Sequence, residues 1–445
     1  MRTHESIGLA VPDILLPRPG TDLAKWAVVA CDQYTSEPEY WEKVARLVGD
    51  APSTLHVTYP EVFLGEPSPE ARIARIRETM TKYLDSGLFE ELTGFVHVER
   101  TIAGGHVRHG LMACLDLEQY DFRKGSTSPI RATEGTILER IPPRVKIREG
   151  AAIELPHIMV LLDDPGDTVL GPLRDAGQAP GKTLYDLDLM LSSGHVRGTR
   201  IEDPALEAGV VRAIQALADP EEFARKTRVP AGTPVLLYAM GDGNHSLATA
   251  KTIWESTKAA AADPQAVLGS KLRWALVEIV NLHDPSLVFE AIHRVVFGLE
   301  RDLIAAMREA FGDRCKVASL PSFDAVQAAV DAQTGVAHLI GVVTDAGCSV
   351  VEISEPFANL AVGTLQTFLD AFMKAGSAHE LDYVHGVDAV TSLGRKPGNA
   401  GIYLPAMHKD DLFRTVVLEG ALPRKTFSMG EAHEKRFYLE ARRLA

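Results

Sequence analysis

Residues 235–251 read VLLYAMGDGNHSLATAK. An apolar run of the kind that forms a buried strand stops at a glycine pair, Gly241 and Gly243, which brackets Asp242. Asn244, His245 and Ser246 follow, and the chain goes on as Leu-Ala-Thr-Ala-Lys, mostly good helix formers. The pattern predicts a strand, a sharp glycine turn and a helix. The first turn of such a helix carries N–H groups without intrahelical partners and a partial positive charge, which suits an anion. Asn244 is placed to cap the helix, and His245 and Ser246 to reach a bound phosphate. Asp242 then stands beside the anion, where a carboxylate can hold a magnesium ion or take a proton from a hydroxyl. A plainer reading is also open, in which Asp or Asn caps the helix and His245 is structural.

The 445-residue chain is 46% hydrophobic and 24% charged, the balance of a soluble globular protein of two or three compact units. Its net charge of −14, from 60 acidic and 46 basic residues, disfavours a general nucleic-acid binder or a partner of anionic membranes. A local basic pocket for a phosphorylated small molecule stays open. Cys31, Cys114, Cys315 and Cys348 show no Cys-x-x-Cys spacing and read as free thiols of a reducing compartment. The first residues, MRTHESIGLAVPD, lack the apolar core of a signal peptide, and no apolar stretch reaches transmembrane length. A cytoplasmic location is expected.

Short apolar runs alternate with amphipathic helical patterns, so the expected fold is mixed, α/β or α+β, with several mixed sheets flanked by helices. WAVVAC (26–31), TLHVTY (54–59) and RWALVEIVNL (273–282) read as strands. Gly104-Gly105 reads as a hairpin turn. A boundary near residue 230 would divide an N-terminal α+β region, 1–230, from a C-terminal α/β region, 231–445, that carries GDGNHS. Residues 120–156 are rich in Gly, Pro and charge and hold the densest basic stretch, with Arg123, Lys124, Arg131, Arg140, Arg144, Lys146 and Arg148. They form either a solvated loop or a cover for the anion site. LMLSSGHVRG (189–198) is a ligand loop or a hairpin turn. Gly181-Lys182-Thr183 is not a standard P-loop, because position 176 is Ala where that motif needs Gly.

Several motifs occur in order: ACDQYTSEPEYW (30–41), IRATEGTILERIPPRVKIREGA (130–151), ELPHIMVLLDDP (154–165), GDGNHSLATAK (241–251), IHRVV (292–296), DYVHG (382–386) and LPRKTF (422–427). Through them the chain resembles, over nearly its whole length, the bacterial and archaeal domain-of-unknown-function-1015 proteins, in the branch that carries Gly-Asp-Gly-Asn-His-Ser. The broader family has Asp-Gly-His-His-Arg at this place. That pattern is similar to the phosphate-binding motif of the ParB/sulfiredoxin-like group, which includes partition proteins and free-serine kinases. The resemblance implies a ParB/sulfiredoxin-like strand–helix phosphate site, ATP and Mg²⁺ as cofactors, and phosphoryl transfer to a hydroxylated metabolite such as L-serine. Asp242, Gly243 and His245 match the family pattern, while Asn244 stands for His and Ser246 for Arg. The missing Arg is a bidentate phosphate contact. Either another arginine, from 131–148, replaces it, or this branch binds something else.

Two classes of function follow. The first is a Mg-dependent kinase or related phosphotransferase. In it Asp242 is base or metal ligand, Glu134 a second candidate for those roles, and His245 a phosphate-holding catalytic residue. Gly241, Gly243, Asn244 and Ser246 form the phosphate turn. Arg131, Arg140, Lys146 and Lys425 neutralise charge, and His293 and Arg294 are a further polar pair assigned to the cofactor. The second is a non-catalytic protein whose same pocket binds a nucleotide or an anionic metabolite. Both take a small molecule as partner, without nucleic acid or membrane, and leave room for a homodimer.

Overall fold

The computed structural model describes residues 1–177 and 183–444, so Gly181 and Lys182 of the Gly-Lys-Thr stretch lie outside the described residues. The fold is mixed α/β and divides into two compact units, Met1–Leu287 with Gly430–Ala445, and Val288–Met429. A boundary near residue 230 is not found. Strand Tyr238–Asp242 pairs with Met159–Leu162 and Ile130–Arg131, so main-chain ladders join the two sides of that position.

The first unit is built on an eleven-stranded sheet. Its strands are β1 (Arg2–His4), β2 (Leu9–Val11), β3 (Val96–Thr101), β4 (Val107–Asp116), β5 (Tyr120–Asp121), β6 (Ile130–Arg131), β7 (Met159–Leu162), β8 (Thr183–Asp188), β9 (His195–Arg200), β10 (Tyr238–Asp242) and β11 (Trp274–Asn281). The order is β8-β9-β3-β4-β11-β7-β10-β6-β5, with β2 beside β4 and β1 on β2. The β7–β11, β10–β6 and β6–β5 pairs are parallel and the others antiparallel. Gly104-Gly105 turns the β3–β4 hairpin, and LMLSSGHVRG turns β8–β9, where His195 reaches Asp186 at 2.7 Å and Asp188 at 2.8 Å.

Both faces of this sheet are covered. Leu111, Ala113 and Leu115 of β4 enter one core, and Met112 and Cys114 the other. Along β11, Ala275, Val277 and Ile279 alternate in the same way with Trp274 and Leu276. Two-sided burial is why β11 reads as a near-continuous apolar run rather than an alternating one. One core packs α1 (Pro38–Val48) and α2 (Pro69–Asp85), which bury Trp41, Val44 and Val48, and Ile73, Ile76, Met80 and Tyr83, at helical spacing. The other packs α4 (Pro204–Leu217) and α5 (Asn244–Ala260) through Val210, Ile214, Leu247 and Trp254.

Two of the expected strands are absent. WAVVAC begins in a helical turn, Leu23–Trp26, and makes one isolated bridge, Val29 to Phe437. TLHVTY starts as a 3-10 turn, Thr54–Val57, whose first N–H groups include one received by the Ser53 hydroxyl. The Thr54 hydroxyl accepts from Val28 N–H at 3.2 Å and donates to the Trp26 carbonyl at 2.8 Å. A side chain therefore satisfies backbone groups that a ladder would otherwise pair. The basic segment is ordered around α3 (Ile141–Arg148), which begins with two prolines in its first turn.

The last residues close the unit. Leu15 and Ala441 exchange backbone hydrogen bonds of 2.7 and 2.9 Å, and Trp26 Nε1 donates to the Leu439 carbonyl at 2.9 Å. Buried Arg436 pairs with buried Glu278 and, at 2.5 Å, with Glu440. Buried Arg442 bonds Glu154 at 2.6 Å. Among the described residues no helix is long and apolar enough to cross a membrane.

The second unit is an antiparallel seven-stranded sheet. It contains β12 (Glu290–Leu299), β13 (Cys315–Leu320), β14 (His338–Thr344), β15 (Gly347–Ile353), β16 (Ala378–His385), β17 (Ala400–Tyr403) and β18 (Phe427–Ser428). The order is β13-β15-β14-β17-β12-β16, with β18 on β12.

Replacing Arg436 by leucine would leave Glu278 and Glu440 buried without their cation. The expected cost is about 3–5 kcal/mol of stability, read as a lowered denaturation midpoint in the Arg436→Leu protein. An unchanged midpoint would show that the pair does not hold the C-terminal residues in place.

Candidate functional site

β10 ends at Asp242, and α5 begins at Asn244. Between them Gly243 adopts the left-handed conformation, φ 78° and ψ 25°, and is the residue at the N-cap. A Cβ there would lie 3.0 Å from Ile158 Cα, so both the dihedral and the close approach require glycine. No side chain caps the helix. Asn244, expected as the cap, is instead the first helical residue, and its Oδ1 is buried without a hydrogen bond. The first turn of α5 thus keeps its N–H groups for a ligand. Asp242 Oδ1 accepts from Gly243 N–H at 2.9 Å, and Oδ2 pairs with Lys435 Nζ at 3.1 Å.

This turn opens into a cavity of about 860 Å³ that lies wholly within the first unit. Its walls come from residues 31–35, from 57–65, from Ile76 and Met80 of α2, from 134–148 including α3, from 153–157, and from Tyr438. Val57, Ile76, Met80, Ile147 and Ile153 are among its apolar lining residues. The polar lining includes Asp32, Glu61, Glu134, Arg140, Arg144, His157, Asp242 and His245.

Most of the cations are already answered. Arg144 donates to Glu61 through Nε at 2.8 Å and to the Arg140 carbonyl at 2.7 Å, and Arg148 pairs with Glu154. The exposed Arg140 guanidinium makes no hydrogen bond or ion pair among the described residues. His245 Nε2 accepts from Ile137 N–H at 3.3 Å. Burial, and then the positive charges of Arg144 and Arg140, lower the His245 pKa, so the ring is neutral near pH 7.

Of the residues singled out from the sequence, Asp242, Gly243, Asn244, His245, Ser246, Glu134 and Arg140 line this one cavity. Gly241 sits just before it, against the Leu161 side chain. Lys146 is exposed and outside the lining, and its carbonyl accepts from Arg77 at 2.8 Å. Arg131 is not a ligand cation. Its buried guanidinium donates to the carbonyls of Ser128 at 2.5 Å, Pro234 at 3.1 Å and Val235 at 3.2 Å, and burial lowers its pKa to about 10. His293, Arg294 and Lys425 belong to the second unit. There His293 Nδ1 accepts from Leu404 N–H at 3.2 Å, and the fully buried Arg294 bonds Gln366 at 3.3 Å and the Arg424 carbonyl at 3.1 Å. These partners explain how His-Arg can interrupt an apolar strand without a cofactor. Lys425 is exposed.

Asp32, Glu61, His157, Tyr438 and Lys435 escaped the sequence reading. Asp32 and His157 lie inside quoted motifs, but no spacing links them to residue 242. Among the described residues no group of three or more His, Cys, Asp or Glu is arranged for a metal. Both Asp242 oxygens are engaged, so Asp242 is not presented as a magnesium ligand. The nucleotide is a better fit, since the open helix turn, Arg140 and the cavity volume suit a phosphorylated ligand.

Fold and site together define a mixed α/β protein with an anion-ready strand–turn–helix facing a large cavity. Residues 15–372 match the family described as Protein of unknown function (DUF1015), and the chain belongs to that family. A search of curated proteins gave no match. Among solved structures, a mutant free serine kinase in complex with AMP is similar at 12% identity, with 76% of this chain and 92% of that chain covered and a TM-score of 0.38. A second, in complex with ADP, is similar at 12% identity, with 73% and 90% covered and a TM-score of 0.37. A conserved hypothetical protein from Pyrococcus furiosus is similar at 11% identity, with 73% and 93% covered and a TM-score of 0.33. Function has to be argued from the site itself.

Gly243→Ala should cost about 1–3 kcal/mol and weaken binding of any phosphorylated ligand, both read from ligand-dependent thermal unfolding. A variant with wild-type stability and ligand response would remove the turn from the site.

Proposed function

We propose that the protein is a small-molecule phosphotransferase that moves the γ-phosphoryl group of ATP to the hydroxyl of a metabolite such as L-serine. The observation that carries this reading is one cavity in which the uncapped first turn of α5 and the unpaired Arg140 guanidinium share space with the Asp32 and Asp242 carboxylates. The N–H groups of Asn244, His245 and Ser246 donate to phosphate oxygens. Arg140 supplies the guanidinium that the family pattern has at the position of Ser246. Asp242 is held by Lys435. Magnesium, when bound with the nucleotide, would neutralise charge on its phosphates.

In the transfer, the acceptor oxygen forms a bond to the γ-phosphorus as the bond to the bridging oxygen breaks and ADP leaves. The hydroxyl proton passes to a carboxylate. Both Asp242 oxygens are already engaged, by Gly243 N–H and by Lys435. Glu134 is exposed. The role therefore falls to Asp32, on the cavity wall.

Two variants test the assignment. Arg140→Ala should weaken ATP binding by about ten- to a hundredfold, the value of a charge-assisted hydrogen bond, in calorimetric titration. Asp32→Asn should lower kcat by about 10²–10⁴-fold while ATP affinity stays near wild type. ATP binding with no turnover against a panel of amino acids and sugars would instead favour a protein that senses a nucleotide or anionic metabolite. Wild-type ATP affinity in Arg140→Ala would overturn the phosphate site.

A further inference from the structure

Tyr438 is 1% exposed, and its phenol oxygen meets two nitrogens. It accepts from Cys31 N–H at 3.1 Å and lies 2.8 Å from His157 Nδ1. A phenol has one proton to give. Burial raises the Tyr438 pKa well above its ordinary value, so the proton stays on the group. The Cys31 thiol is also beside the phenol and is kept neutral by burial, but thiol sulfur is a weak acceptor and an imidazole nitrogen a strong one. The phenol proton is therefore directed at Nδ1, and the ring carries its own proton on Nε2.

That Nε2–H faces Asp32. The Nε2–Oδ2 separation is 3.6 Å, beyond hydrogen-bond length, and Asp32 Oδ1 is occupied by Gln33 Nε2 at 3.0 Å. Both side chains line the cavity. One N–H donor and one carboxylate acceptor thus stand side by side, close enough for a single ligand atom about 2.8 Å from each.

We propose that His157 and Asp32 clamp a hydroxyl group, and that Tyr438, by setting the imidazole tautomer, makes the clamp select an alcohol over an amine. This rests on the phosphotransfer reading and specifies its acceptor. A hydroxyl accepts from Nε2–H and donates to Oδ2 with the same oxygen. An ammonium has three donors and no acceptor, so it satisfies Asp32 and sets N–H against N–H at His157. A carboxylate satisfies His157 and is repelled by Asp32. A methyl group answers neither, and leaving both unpaired is what gives a hydroxyl-reading site its discrimination. His157 is on this account a specificity residue, and Tyr438 a positioning residue acting through it.

The test uses the full chain labelled with nitrogen-15 at histidine, with the His157 signals identified by their loss in His157→Gln. Wild type should show a non-protonated Nδ1 and a protonated Nε2 at His157, and Tyr438→Phe should lose that preference. With a non-transferable ATP analogue present, L-serine should shift the Nε2 signal. L-alanine and L-2,3-diaminopropionate should do so only at about 100-fold higher concentration or not at all. The wild-type tautomer needs no variant, so a Tyr438→Phe protein that failed to fold would not decide the outcome. A proton on Nδ1 in wild type, or an equal response to the three compounds, overturns the clamp. Affinity for the ATP analogue, measured on the same sample, separates the failures. Intact nucleotide binding with either result overturns the clamp alone, and absent nucleotide binding overturns the phosphotransfer reading and the clamp with it.

Discussion

The first unit depends on a charge buried in its core. Arg436 lies between Glu278 of β11 and Glu440, all three almost without exposure, and Arg442 repeats the device with Glu154. Buried ions of this kind add little net stability against an apolar substitute, but removing one partner strands the other. Their effect is on position. The last residues can run through the core in one register, because a shift would leave carboxylates buried and unpaired. That register brings Tyr438 to the cavity and Lys435 to Asp242.

The cavity shows how an acidic protein can keep one cation and an open helix turn for a ligand. Three arginines, Arg140, Arg144 and Arg148, reach it from α3 and the residue before it, and two are neutralised at once by Glu61 and Glu154. What remains for a ligand is the Arg140 guanidinium and the open turn of α5. His245 adds no charge, because burial and the neighbouring guanidiniums keep its ring neutral. Gly243 makes this possible. Its left-handed conformation turns the strand into the helix without a capping side chain over the first N–H groups.

The local features were legible. GDGNHS announced a strand, a glycine turn and a helix because each step depends on neighbouring residues. β4, β11 and the hairpin at Gly104-Gly105 followed from apolar patterning and turn chemistry. WAVVAC misled, since an apolar run reports burial on all sides rather than a ladder. Arg131, His293 and Arg294 misled for a related reason. A charged side chain in an apolar run needs a partner, and the sequence does not say whether that partner is a ligand or a backbone carbonyl.

By itself the sequence determined the class of fold and the strand–turn–helix, because 3.6- and 2-residue periodicities and a glycine dihedral are local properties. Only the tertiary structure decided which residues share the cavity. Tyr438 and His157 are 281 positions apart, with the whole second unit inserted between them, and no spacing rule spans such a distance. It also decided which charges are available. A guanidinium that donates to three carbonyls and one that makes no hydrogen bond or ion pair among the described residues are the same letter in the sequence, and packing alone distinguishes Arg131 from Arg140.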